Sequence, residues 1–487
     1  MPLHAQLSPE AIASLHAQRR NSTISSLVIA VLVLVLIGLV LGLFLLPKIQ
    51  KEEVVIVSYS YEQEKEKPEK PTPKETVQKK PSSPSASVAR VITSAAVSEV
   101  AIPVPEVEVT TPSLDFGDGN DFGSGWGSGT GGNGFQSIPS SMRKRCSPQE
   151  RMQRLKEMGG TPDCEKAVVK ALDWLQETQN EDGSWTEEGA KHGYPVAMTG
   201  MAILAYLGHC ETPKSPKYGK TVEKGIIYLV NAAMGGGNKG LVSSAGAPGH
   251  APAYEHGIAT YALAESYTFC KEIKFKIPNL KEATKKAGER ILEGQTNAGG
   301  YVYGLPNGGN SGDNSVGYWQ LQALKAFKHT KILPDTKFKD DIKNAMGWFD
   351  KVQGGDGAIG YREQSSRSPG LTGGALLCMQ FWGHGDSETA EKAAEWIKNN
   401  VKFGAFGGKD SNLYYHYYHA QAMINVGGKD WDKYQDMVRD PILDAQQSDG
   451  SWKQKMGHGP IGDHMATCLA TMLLEVYYRF LPGTKAK

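Results

Sequence analysis

The chain predicts an all-α fold: a closed (α/α)6 toroid, a ring of six outer and six inner helices, preceded by one transmembrane helix and a disordered linker. Three observations predict it. The segment Gln179-Asn180-Glu181-Asp182-Gly183-Ser184-Trp185 returns near the C-terminus as Gln446-Gln447-Ser448-Asp449-Gly450-Ser451-Trp452. Between these Q-x3-G-x-W copies lie four degenerate ones: Asn231 with Gly235, Gln295 with Gly299 and Tyr301, Gln353 with Gly357, and Asn400 with Gly404 and Phe406. Their amides fall 52, 64, 58, 47 and 46 residues apart, and a period of that size marks a repeat architecture. Each copy also joins two unlike helical stretches, and the first and last copies are the best formed, which suits a ring whose ends meet. An open solenoid needs atypical polar end repeats instead.

Within a unit, the stretch before the amide is amphipathic. In 164–179, Val168, Ala171, Leu172 and Leu175 recur at helical spacing. The glycine ends that helix and turns the chain. The aromatic two residues later folds back on the helix end while the amide satisfies loose backbone groups. A polar loop then leads to a second helix, as in 198–207, 256–264, 371–381 and 465–478, with almost no charge. A helix apolar all round is buried, and an amphipathic one covers it. The uncharged helices therefore form the inner ring.

Ahead of the ring, residues 1–26 read as a cytoplasmic tail and 27–46 as a transmembrane anchor. That run is twenty residues without charge, about 30 Å as a helix. A cleaved signal peptide is the rival, but it has a shorter apolar core and a small-residue cleavage site; here Pro47-Lys48-Ile49-Gln50-Lys51 follows. Arg19 and Arg20 before the run balance Lys48 and Lys51 after it, so flanking charge leaves orientation open. The long tether and the ring then suggest a single-pass protein of the inner membrane with a periplasmic toroid. Residues 47–145 are rich in Pro, Lys and Glu and then in Gly, too poor in apolar side chains to order. As coil they span on the order of 55 Å. Phe116, Phe122, Trp126 and Phe135 recur among the glycines, either spacer residues or contacts for an envelope protein partner. The ring itself occupies 160–482.

The Q-x3-G-x-W repeat on an outer-helix/inner-helix unit resembles the squalene–hopene cyclase, protein prenyltransferase and squalene oxidase repeat superfamily, over about two thirds of the chain. Tyr254-Glu255-His256-Gly257 and Leu474-Glu475-Val476-Tyr477-Tyr478-Arg479 resemble bacterial membrane-anchored members of it. The resemblance implies the toroid. It also implies catalysts that this chain lacks. The cyclases' D-x-D-D acid is absent, and Asp340-Asp341 lies on a charged outer helix. The prenyltransferases' Asp-x-Cys zinc element is missing, as is the Gly-Cys-Gly-Glu-Gln of complement-like thioester toroids.

Charge gives no case for nucleic acid: 53 Lys plus Arg face 52 Asp plus Glu. Among the six cysteines, Cys146 and Cys164 flank the entry to the ring, and Cys210 and Cys270 follow inner helices. Cys378 and Cys468 read as core. Disulfides are allowed but their connectivity is open, and without a C-x-x-C pair neither a metal nor another cofactor is expected.

A site belongs at the mouth, where the inner helices begin. Aligning Gly200, Gly257 and Gly373 stacks Thr199, His256 and Thr372 at one level, with His416 and Asp463 or His464 near it. Tyr254, Glu255, Asp313, Trp319, Tyr414, Tyr415, Tyr417, Tyr418 and His419 fall within about a turn. Aromatics with convergent polar groups make a ligand pocket. Each residue also has a plainer reading. His416 and His419 form either a metal pair or packed helix histidines, Asp313 and Asp463 are helix caps before they are contacts, and His256 is a site residue or a packed one. The expected function is a non-catalytic binding or scaffold module for a glycan, lipid or peptide. The alternative is a terpenoid, prenyl or glycan-active enzyme using these His and Asp side chains.

Overall fold

A computed structural model describes residues 145–479, apart from 188, 189, 191, 236–239, 245–248, 306–308 and 455–461. The chain divides into two compact units, Met1–Pro103 and Val104–Lys487, and every described residue belongs to the second. The tail 1–26, the candidate anchor 27–46, most of the linker 47–145 and its aromatic residues lie outside the described residues. Among the described residues no helix is long and apolar enough to cross a membrane. This corrects the expected placement as a single-pass inner-membrane protein, and that placement is not carried further.

Thirteen α-helices are present among the described residues, with no strand beyond two isolated bridges. A short α1 (Pro148–Glu157) precedes six pairs. The outer members are α2 (Pro162–Glu177), α4 (Gly219–Met234), α6 (Leu280–Glu293), α8 (Lys339–Val352), α10 (Glu388–Asn400) and α12 (Gly428–Asp444). The inner members are α3 (Pro195–Gly208), α5 (Ala251–Glu272), α7 (Asn314–His329), α9 (Pro369–Phe381), α11 (Leu413–Val426) and α13 (Asp463–Leu474). The apolar inner sequences are buried nearly all round, from Val196 to Gly208 in α3 and from Gly370 to Phe381 in α9. The outer helices bury one stripe, such as Ala283, Thr284, Ala287, Gly288 and Ile291 in α6. Each inner helix packs on the next, and α13 returns to α3 while α12 packs on α2. The ring is closed.

The repeat motif supplies the joints. Gln179 Nε2 donates to Gly183 O at 3.0 Å, closing its own turn, and to Thr221 O of the next outer helix at 2.9 Å. Gln295 reaches Asp341 O and Gln353 reaches Thr389 O in the same way, both at 2.8 Å. The motif glycine sits at positive φ, +87° at Gly183, where a Cβ would lie 2.6 Å from Lys224 O of the neighbouring helix. Only glycine permits both that turn and that approach. Trp185 Nε1 and Trp452 Nε1 then cap Leu175 O and Ile442 O of their own outer helices, at 2.7 and 2.8 Å.

Two joints depart from the sequence reading. In the second unit the clamp glycine is Gly240, at φ +85° and against Lys286 O, not Gly235, whose φ is −58°. The physical reason is that α4 continues past Asn231 to Met234, so the turn comes later. In the fifth unit Asn400 bonds back to Trp396 O within its own helix at 2.8 Å. There the crossing to the sixth unit is made by Lys398 to Asp430 at 3.4 Å and by Gln454, which accepts from Leu413 N at 3.0 Å.

At the C-terminal ends of the inner helices, a strap closes the barrel. Cys146 is disulfide-bonded to Cys210, just after α3. The bond brings Arg145 fully inside, 3.2 Å from Glu265 and over the Phe269 ring at 4.8 Å. Arg479 and Glu475, 4.0 Å apart, are buried beside it. Cys164 and Cys270, the other candidates for external pairing, are buried free thiols, as are Cys378 and Cys468.

Candidate functional site

At the opposite end, where the inner helices begin, one rule organises the side chains. In the first, third, fourth and sixth units the residue four positions after the motif glycine reaches back to the start of the preceding unit's inner helix. Glu187 Oε2 accepts from Met465 N of α13 at 2.9 Å, and Gln454 serves α11. Tyr303 lies against His250 just before α5, with ring centroids 3.7 Å apart, and Tyr361 stands over Ser315 of α7 at 3.3 Å.

Tyr303 and Tyr361 create the richest cluster. Their hydroxyls bond to each other. Tyr254 donates to Ser315 Oγ at 2.7 Å, and Ser315 Oγ donates to Asp313 at 2.6 Å. Asp313 also caps α7 by accepting from Ser315 N at 3.1 Å, so the N-cap reading holds. Its other oxygen takes Arg362 Nη2 at 3.1 Å. Arg362 is half exposed, and its guanidinium lies 5.7 and 5.5 Å from the Tyr303 and Tyr361 ring centres. Burial pushes the Tyr254 and Tyr361 hydroxyls well above the usual phenol range, so both stay protonated donors. Three hydroxyl-bearing rings, a guanidinium and an imidazole thus share one partly open patch.

The remaining expected residues have other duties. His256 is fully buried, and its Nδ1 accepts from Val242 N at 3.0 Å. Thr199, Thr372 and Thr467 do the same for Trp185, Ile359 and Trp452, at 3.0 to 3.1 Å. The alignment of Thr199, His256 and Thr372 is therefore real, but the level faces the motif loops. The sixth unit fills it with Thr467, one turn beyond Asp463 and His464. Burial, with Arg290 adding, holds His256 down at about 3. Glu255 is saturated by Ser243 Oγ, Ser244 N and Ser244 Oγ, each at 2.8 Å.

His416 donates from Nε2 to Asp410 O at 2.9 Å and accepts at Nδ1 from Tyr434 at 2.8 Å, while His419 donates to Pro369 O at 3.0 Å. The two imidazoles point at different carbonyls rather than at one ion, and no group of three or more His, Cys, Asp or Glu placed to hold a metal occurs among the described residues. Trp319 stacks on Tyr417 at 5.4 Å and donates to Tyr414 at 2.7 Å, joining the buried sides of α7 and α11. Tyr415 packs on Gly370. His464 lies against Trp174, ring centres 4.7 Å apart, and Asp463 stands 3.8 Å from Lys453.

Sequence reasoning missed His250, Tyr303, Tyr361, Arg362 and Glu187. Glu187 is only 3% exposed. Burial pushes its carboxyl up to about 7 against the backbone N–H groups of Met465 and His464, with Asp463 adding to the rise. It therefore titrates near neutrality, close to the more exposed Asp463.

No family model matches the chain, and no curated protein matches it. Among solved structures, an inactive variant of an α-1,6-mannanase from a Salegentibacter species, bound to α-1,6-mannotriose, is 11% identical, with 65% of this chain and 99% of that chain covered and a TM-score of 0.47. A type II terpene cyclase from Scytonema, bound to geranylgeranyl dihydroxybenzoate, is 11% identical over 69% of this chain and 99% of that chain, with a TM-score of 0.44. Neither likeness singles out squalene–hopene cyclases or says what this chain acts on. The class reached from the helix order and packing is an α/α toroid closed at one end by a disulfide-held strap and carrying a polar aromatic cluster at the other.

Proposed function

We propose that the toroid binds a carbohydrate at the mouth formed by His250, Tyr254, Tyr303, Ser315, Tyr361 and Arg362. The observation that carries this reading is the cluster of half-buried tyrosine rings, tied to one another and to Ser315 through their hydroxyls, beside the half-exposed guanidinium of Arg362. Sugar rings offer apolar C–H faces for stacking and hydroxyls for such groups. An isoprenoid ligand calls for a cavity of Phe, Leu and Trp instead. Within the cluster the buried carboxylate, Asp313, is already committed to Arg362 and Ser315, which favours binding over acid–base chemistry there. Calorimetric titration of the protein against a panel of neutral oligosaccharides tests the reading. Tyr303→Ala and Tyr361→Ala are expected each to weaken binding about tenfold, the weight of a buried aromatic anchor, with little change in melting temperature. No binding by any glycan, or binding indifferent to both substitutions, overturns it.

A second reading has one observation behind it: the Glu187 carboxyl, raised to about 7 by burial, stands close to a second carboxyl, Asp463. A carboxyl with a raised value near a second carboxyl is the kind of pair that acid–base cleavage of a glycosidic bond uses. Release of reducing ends by the wild type, abolished by Glu187→Gln and by Asp463→Asn, would establish it. Hydrolysis untouched by both would discard it.

A further inference from the structure

Lys325 lies in the C-terminal half of α7, about 17 Å along the helix axis from the mouth residue Asn314. It is 3% exposed. Among the described residues no carboxylate pairs with it. Its Nζ lies instead 5.2 Å from the ring centre of Trp382, which follows α9, and the Lys328 Nζ lies 5.8 Å from the same ring. Trp382 is half-buried and fixed by its Nε1, which donates to Leu321 O at 3.3 Å. The nearby acid, Asp335, is engaged by Lys331 at 2.9 Å and Lys328 at 3.9 Å. The charged groups acting on Lys325 are therefore Lys328, Asp335 and Lys331, two cations against one anion. A buried ammonium without a counter-ion is costly, and the indole face offsets only part of that cost.

We propose that Lys325 is a nucleophilic lysine that condenses with the carbonyl of a small anionic aldehyde or ketone, while Lys328 holds the anionic group. Desolvation together with neighbouring cations is the arrangement that leaves an amine uncharged and reactive. Burial first, and then Lys328, bring the Lys325 ammonium down to about 7. In the reaction the amine lone pair attacks the carbonyl carbon and the C–O bond breaks. The oxygen leaves as water with the two amine protons, giving an imine without any redox partner. Lys328 is the more exposed of the two amines, at 20%, and so the one an incoming anion meets first.

The test uses the full chain with pyridoxal 5′-phosphate as probe, borohydride to reduce the imine to a stable amine, and peptide mapping of the label. At neutral pH Lys325 is expected to be labelled at least about tenfold faster than exposed lysines such as Lys281 and Lys343, as a desolvated nucleophilic amine should be. The labelling rate should be half-maximal near pH 7. Lys328→Gln removes a cation that keeps Lys325 uncharged and so should slow both probes, but it should slow pyridoxal 5′-phosphate several-fold more than pyridoxal, which lacks the phosphate. Label at Lys325 no faster than at the exposed lysines overturns the nucleophile. Equal loss with both probes in Lys328→Gln overturns the anion-holding role. The lysines are compared within the unsubstituted protein, and the two probes within a single variant, so neither comparison depends on how well one protein folds relative to another.

Discussion

Gln446, in the last unit, donates its side-chain amide to the carbonyl of Ala167, in the first, at 2.8 Å. It makes the bond that Gln179, Gln295 and Gln353 make to the units after them, so the seam of the ring uses the same joint as its interior. Gly450 completes it at φ +96°, set against the carbonyl of Lys170. Trp431 Nε1 to Met158 O at 2.8 Å and Glu187 to Met465 N at 2.9 Å cross the same seam.

A ring closed in this way is expected to fail as a whole. Gln446→Ala removes the donor to both Ala167 O and Gly450 O and should cost about 1–3 kcal/mol of stability. Gly450→Ala should cost more, since the side chain meets both a left-handed backbone and a neighbouring carbonyl. Removal of α12 and α13, residues 428–487, should abolish cooperative melting followed by circular dichroism. A truncated chain that melts as sharply as the parent would show that the units stand as an open array.

Much of this was legible because each motif residue has a local task. A glutamine that spans a turn, a glycine with positive φ and a tryptophan that covers a helix end are all visible within seven residues. The second unit misled because Asn231 and Gly235 mimic the spacing while α4 runs on. The glycines Gly183, Gly240, Gly299 and Gly357 are 57, 59 and 58 residues apart, a more regular ladder than the amides. The mouth was less legible. Tyr303 and Tyr361 are visible as the residues four past a motif glycine, but that they reach back across a unit boundary is a property of the packed ring. The buried histidines look functional in sequence because nothing local reports which backbone group an imidazole will bond.

His256 should behave as a joint rather than as a contact. His256→Ala leaves the buried Val242 N–H without its acceptor and opens a void, so a loss of about 2–4 kcal/mol is expected. His256→Thr restores the hydroxyl used at Thr199, Thr372 and Thr467 and should recover part of that loss. Urea unfolding of the two variants checks the order. Equal stability would remove the shared-joint account of His256.

The Cys146–Cys210 bond closes a loop with a sequence separation of 64. Cross-linking a loop of that length in the unfolded chain stabilises the fold by about 4 kcal/mol in the chain-entropy account. Cys146→Ala should therefore lower the melting temperature and raise amide exchange at the C-terminal ends of α3 and α5, where Arg145 is inserted. Exchange that rises evenly around the ring would argue against a local strap.

Stability is expected to have an alkaline arm with an identifiable source. His209 is buried, which works against its charge, yet its hydrogen bonds to Glu165 at 3.0 Å and Glu211 at 2.9 Å outweigh burial and push it up to about 9. A group whose folded value lies above its unfolded one, near 6.5 for histidine, stabilises fully below the unfolded value and loses that contribution as pH rises through the folded one. Stability should therefore fall between about pH 6.5 and pH 9. Glu187, raised to about 7, and Glu475, raised to about 8 by burial, lose theirs over the range from 4.5 upward and so tilt the curve the same way. On the acid side the order reverses. His256, His416 and His419 are held at about 3, 4 and 3 by burial, so their contribution is complete above 6.5 and is lost as pH falls. His209→Gln should flatten the arm between pH 6.5 and 9 while leaving the acid arm in place. Chemical denaturation of both proteins at pH 6 and pH 9 reads the difference, and an unchanged alkaline slope in His209→Gln would place the charged pair elsewhere.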